Sequence, residues 1–231
     1  MFGLRKALSG YLSYPGLTVI PEQVQRPLNL LLKLTVICIT AGVAAGLFSG
    51  MLVHLKLIPD PGPSLLENKE VSHFEFFIGA VCIAPVIEEL IFRAQLRRFS
   101  ASILFFSFIC GVLLSSLTGT NWAFLISPVI FIPLFIIYRY TLAGSVTRKF
   151  MFWKRVFPWH FYFTAICFGL VHLGNYEKGI TLLPLGIIYT LPQLAIGLVL
   201  GFTRMNYGLK YSMALHALYN LSLAVLLFSK Y

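Results

Sequence analysis

Residues able to do chemistry together stand far apart in this chain: Glu88-Glu89 with Arg93, then His172, then His216 with Asn220, each inside an otherwise apolar stretch. A charge near the centre of a bilayer costs about 3 kcal/mol on insertion scales, so ionisable residues inside apolar spans mark a functional site by default. On a helix Glu89 and Arg93 are i,i+4 and share a face, whereas Glu88 projects roughly 100° away and stays free. His216 and Asn220 have the same spacing and also share a face. A carboxylate with two imidazoles supports two related chemistries. Glu88, His172 and His216 could bind Zn²⁺ with an open position, or the carboxylate could polarise a water directly as general base. Both hydrolyse. Asn220, beside an imidazole, could donate to the oxyanion that forms when water attacks an amide, a contribution of about 3 kcal/mol in other hydrolases.

Competing chemistries have less support. There is no H-E-x-x-H helix, the only Asp is Asp60 in a Pro-rich stretch, and Ser49 has no helix-borne His nearby. Cys38, Cys82, Cys110 and Cys167 fall inside hydrophobic runs without C-x-x-C spacing, so they read as small packing residues. A purely structural ion-pair network is the bland account of the acidic pair, but one Arg93 neutralises one carboxylate only. A proton- or cation-coupled transporter is the alternative for the whole protein, using the same buried polar residues as a relay. No inverted repeat supports it.

The elements that must position these residues are membrane helices. The 231 residues are 58% hydrophobic and 11% charged, with mean hydropathy +0.83, too apolar for a domain with a polar exterior. The expected fold class is an all-α, multi-pass transmembrane bundle of about seven spans: Leu34 to Val53, Phe74 to Phe92, Ala101 to Leu117, Trp122 to Leu142, Pro158 to Leu173, Ile180 to Phe202 and Tyr211 to Phe228. Residues 1–33 form a cytoplasmic, interfacial segment without a cleavable signal, and 34–231 the bundle, with its motif-bearing core at 74–228. Lys56 to Ser72, with three prolines, reads as a surface loop, and Arg139 to Phe157 as a basic interfacial linker.

Because three of these helices carry polar groups that are costly alone in hydrocarbon, the economical arrangement gathers the second, fifth and seventh spans around one wet pocket. The net charge of +10 is read against membrane orientation. With the N-terminus in the cytoplasm, every Lys and Arg except Lys56, Lys69, Lys178 and Lys230 falls on the inner side. Membrane lipid is therefore the expected partner of the basic segments, and nucleic acid is not. In this topology His172 falls toward the outer face while Glu88 and His216 fall toward the inner one, a conflict of depth.

Glu88-Glu89-x-x-x-Arg93, Phe168-x-x-x-His172 and His216-x-x-x-Asn220 resemble, in order, the three signature motifs of the CPBP intramembrane proteases, the CAAX proteases and bacteriocin-processing enzymes also called Abi. The resemblance spans residues 84 to 220, with Ala94 where the family has Gly and residues 101–142 inserted between the first two motifs. It implies an endopeptidase, a metalloprotease or a glutamate protease, in a membrane that is most simply a bacterial one. By that resemblance Glu88 and His172 activate water and His216 with Asn220 hold the oxyanion. Glu89 and Arg93 support the site, and Phe168 packs beside it. The implied substrate is a peptide or protein at the membrane, a prenylated C-a-a-X tail or a bacteriocin-related target.

Overall fold

The computed structural model describes residues 2–17, 24–64 and 73–228, and among them every regular element is helical. Helix α1, Phe2–Ser13, leads to α2, Pro27–His54, which starts on a proline whose missing N–H is no loss in a first turn. The second predicted span is compound. A short α3, His73–Phe76, runs into a π-helix, Phe77–Ile83, and then α4, Ala84–Phe92, which closes through a 3₁₀ turn, Ala94–Arg97. Helices α5, Phe99–Leu117, and α6, Ala123–Thr141, form a hairpin held so close that a Cβ on Gly111 would meet Ser127 Oγ at 2.1 Å.

The basic stretch expected to be a linker is helix instead: α7 runs Val146–Val171, capped by the Ser145 hydroxyl, which accepts from Arg148 N at 3.3 Å. That cap starts the helix twelve residues before the expected Pro158, and Pro158 is carried inside it. A 3₁₀ turn, His172–Asn175, ends it. The sixth expected span is broken: a 3₁₀ segment, Gly179–Leu185, and α8, Gly186–Tyr189, meet α9, Leu191–Asn206, at a 59° bend. Pro192 lies just past the break and cannot donate to Ile188, whose carbonyl instead accepts from Ser49 Oγ at 2.7 Å. After Gly208, at φ +108, α10 runs Leu209–Phe228.

By length and composition, four of the described helices can cross a membrane, or five if the bent pair is one span. The helical rods follow the expected order, but this measure stops short of about seven spans, since α4 is only nine residues long and its rod is divided at the π-helix. The bundle is built around α9, which packs on α1, α2, α7 and α10. Leu34 and Cys38 of α2, Phe168 of α7, Ile196 and Leu200 of α9 and Leu215 of α10 are buried together there. Small residues set the spacing, as Gly42 lets Tyr219 come within 3.0 Å of where a Cβ would stand. Residues 65–72 of the expected loop lie outside the described residues. Its earlier part is tied to the chain after His172, with Glu177 N donating to Pro63 O at 3.2 Å and Tyr189 Oη to Pro59 O at 2.6 Å.

Candidate active site

Three elements converge: α4 brings Glu88, Glu89 and Arg93, the end of α7 brings Phe168 and His172, and α10 brings His216 and Asn220. Glu89 and Arg93 are buried and lie 3.4 Å apart between Oε1 and Nη1, the i,i+4 pair expected from spacing. The pair is sealed from several sides. Arg93 also donates from Nη2 to Gly197 O at 3.4 Å, and its guanidinium lies 3.8 Å from the centroid of the Phe168 ring. Glu89 Oε2 accepts a hydrogen bond from Ser212, so both of its oxygens are occupied.

His216 joins the two carboxylates. Its Nδ1 lies 3.2 Å from Glu89 Oε1 and its Nε2 lies 3.7 Å from Glu88 Oε2. His172 approaches Glu88 from another side, with Nε2 4.0 Å from Oε2, while its Nδ1 lies 2.8 Å from Phe168 O. A carbonyl only accepts, so Nδ1 carries the proton and Nε2 is the nitrogen turned to Glu88. Glu88 Oε2 is buried without a hydrogen-bond partner among the described residues, although the Glu88 side chain retains 26% exposure. The depth conflict of the linear topology is thus absent in three dimensions. His172 sits where the broken segment after α7 turns back, and it reaches Glu88 directly.

Asn220 points its amide elsewhere than expected: Nδ2 donates to Ala80 O at 2.7 Å. The reason lies in the π-helix. In a π register the carbonyl of Ala80 would accept from residue 85, which is Pro85 and has no N–H. Asn220 supplies the missing donor and keeps one further amide hydrogen. The site opens into a cavity of about 450 Å³ lined by Glu88, His172, His216 and Asn220 together with Gln193, whose Oε1 is buried and unpartnered.

Every residue singled out from sequence is therefore brought to one place. Ser212, Gln193 and Gly197 were missed. Ser212 carried a usable signal, since 212, 216 and 220 are successive i,i+4 positions on one face of α10. Gln193 and Gly197 carried none, because a lone Gln or Gly in an apolar helix is ordinary. Phe168, expected only to pack, touches three members of the site, with ring centroids 4.9 Å from His172 and 5.7 Å from His216 besides its contact with Arg93.

Among the described residues, no group of three His, Cys, Asp or Glu side chains is arranged to hold a metal ion. Tetrahedral Zn²⁺ with ligands at about 2.1 Å brings donors to about 3.4 Å of each other, and the gaps from Glu88 Oε2 to the two Nε2 atoms are wider, at 3.7 and 4.0 Å. As they stand, the residues fit a metal poorly. A water about 2.8 Å from Glu88 Oε2 and from an imidazole Nε2 spans either of those gaps.

No curated protein and no solved structure matches the chain. Residues 118–222 match the family model described as type II CAAX prenyl endopeptidase Rce1-like. The matched segment contains His172, His216 and Asn220, while Glu88 and Glu89 precede it and join it in space. It is consistent with the CPBP resemblance of the three motifs and supports, in general terms, a CAAX-type intramembrane endopeptidase.

Proposed function

We infer that this chain hydrolyses a peptide bond of a membrane-associated substrate, using water activated by Glu88 with His172 rather than water on a metal. The observation that carries this reading is the partnerless, buried Glu88 Oε2 with an imidazole Nε2 on each of two sides. A general base must lie within hydrogen-bond reach of the proton it removes, and this oxygen has its capacity to spare.

In the proposed cycle a water in the gap gives a proton to Glu88, and its oxygen attacks the carbonyl carbon of the scissile amide. The carbonyl oxygen becomes an oxyanion. His216 acts in this cycle as the imidazolium, with Nδ1–H held by Glu89 and Nε2–H presented to that oxyanion, and Asn220 offers its second amide hydrogen. His172, fixed by Phe168 O, orients the water through Nε2. When the C–N bond breaks, the proton on Glu88 passes to the leaving amine, and a carboxylic acid and an amine result. Gln193 Oε1 accepts a backbone N–H of the bound peptide, which gives that oxygen a partner. A prenylated C-a-a-X tail suits the position of the cavity within an apolar bundle, and a bacteriocin-related peptide is the other substrate class the resemblance implies.

The test compares purified wild type with Glu88→Gln on matched fluorogenic peptides, prenylated and unprenylated. Cleavage by wild type that is abolished in Glu88→Gln supports the reading. If no peptide is cut, and reconstituted protein instead moves protons or a cation in a Glu88-dependent way, the protease reading is replaced by transport.

A further inference from the structure

Away from the catalytic cavity, two hollows share a wall between α5, α6 and α7. One is an apolar cleft of about 590 Å³ lined by Ile103, Phe106, Ile137 and Phe163 among others. The second, of about 490 Å³, is basic and is lined by Arg97, Arg98 and Lys149. Phe99, Tyr138 and Trp153 line both, so the basic hollow opens on the apolar one. Among the described residues, no acidic side chain lines either.

Two polar atoms here are buried with no partner among the described residues, Trp153 Nε1 and Arg97 Nε. Trp153 is only 7% exposed, so its indole N–H has given up water without gaining an acceptor. Buried donors of this kind are rarely left unmet, which makes them a marker for a ligand carrying acceptor oxygens. The cations add to this. Arg97, Arg98 and Lys149 line the same hollow, and like charges gathered there are relieved by an anion.

The position in the fold says what kind of anion. Arg97 and Arg98 immediately precede α5, Tyr138 lies in the last turn of α6 and Lys149 in the first turn of α7, so the basic hollow sits where three apolar helices begin or end. That is headgroup level, and the apolar cleft runs from it along the helices at acyl-chain level. We propose that this pair of hollows binds one anionic glycerophospholipid, its phosphate on Arg97, Arg98, Lys149 and the Trp153 indole N–H and one acyl chain in the cleft between α5, α6 and α7. The site is separate from Glu88 and depends on no part of the hydrolytic reading.

The experiment places wild-type protein in nanodiscs of phosphatidylcholine with one fifth phosphatidylglycerol and measures co-purifying lipid by native mass spectrometry after detergent extraction. Phosphatidylglycerol should be retained in clear excess over its share of the bilayer. Each cation near an anionic headgroup is worth about fivefold in affinity, so Arg98→Gln and Lys149→Gln should each lower that retention about fivefold. Arg148→Gln removes the same charge one residue away from Lys149 but outside the lining, and should leave retention unchanged. Trp153→Phe keeps an aromatic ring against Phe99 and Phe157 and removes the donor together with part of the indole's volume, and should also weaken retention. Retention of both lipids in proportion to the bilayer would overturn the proposal, as would equal losses in Arg148→Gln and Lys149→Gln. Displacement of the lipid by a prenylated peptide would overturn it too, because the hollows would then belong to the substrate. If Trp153→Phe melts below wild type in pure phosphatidylcholine, Arg98→Gln and Lys149→Gln decide the matter.

Discussion

His216 lies between two carboxylates, with Nδ1 3.2 Å from Glu89 Oε1 and Nε2 3.7 Å from Glu88 Oε2. One imidazole thus joins a glutamate that is fully occupied to one that is not, and adjacent residues of the same type acquire different tasks. Glu88→Gln keeps the side chain's shape and removes the base. Activity should fall by about 10²–10⁴-fold, with yield and melting temperature near wild type. Both are read on the same purified sample, by peptide cleavage and by a thermal melt in detergent.

Glu89 should behave oppositely. Its carboxylate is buried against Arg93, and removing one member of a buried pair leaves the other charge uncompensated, at about 3–5 kcal/mol. Glu89→Ala and Arg93→Ala should each lose folded protein, seen as a low monodisperse fraction on size-exclusion chromatography. The double variant Glu89→Leu with Arg93→Met should recover part of that fraction and remain inactive, since His216 loses the group that holds its Nδ1. Equal loss of folded protein in Glu88→Gln would contradict this division.

How much of this was legible in the sequence depends on how unusual each residue is in its surroundings. A carboxylate or imidazole in an apolar run is conspicuous because burial is expensive, so Glu88, Glu89, His172 and His216 stood out and all meet in space. Asn220 stood out by its spacing from His216, but its bond to Ala80 could not be read, since that depends on the π register before Pro85. The basic stretch 139–157 misled because charge and aromatic residues suit an interfacial segment as well as the wet end of a long helix. Only the Ser145 cap distinguishes them. Close approaches were invisible for the same reason that Gly197 was: they belong to two helices at once.

Gly197 stands where α9 crosses the Arg93 and Phe168 side chains. A Cβ there would meet Phe168 Cδ1 at 2.9 Å and Arg93 Nη2 at 3.2 Å. Both neighbours are buried and cannot give way freely. Gly197→Ala should destabilise by about 1–3 kcal/mol, and should lower activity further by moving the ring that touches both histidines. Gly50→Ala, where a Cβ meets nothing within 4 Å, is the matched control and should leave cleavage unchanged without lowering the melting temperature.

Gln193 should show stability and function moving in opposite directions. Its Oε1 is buried without a partner in the free protein, and an unmet buried acceptor costs about 1–3 kcal/mol. Gln193→Leu removes that penalty, so the melting temperature should rise. The same change removes the acceptor assigned to the peptide backbone, so KM should rise with little change in kcat. A variant that is less stable and unchanged in KM would show that Gln193 is a structural residue.

The water and metal readings part most cleanly on metal removal. The donors around Glu88 Oε2 stand 3.7 and 4.0 Å away, wider than tetrahedral Zn²⁺ imposes but suited to a bridging water. Chelation, with an incubation long enough to remove any tightly held metal, should therefore leave the cleavage rate within about twofold, and added Zn²⁺ should not stimulate. Zinc in excess should instead inhibit by drawing His172 and His216 together and occupying the oxygen that serves as base. Elemental analysis of the same samples completes the test. A stoichiometric metal whose removal abolishes cleavage and whose return restores it would mean that the donors close up around an ion, and the water held directly by Glu88 and His172 would give way to a metal-bound one.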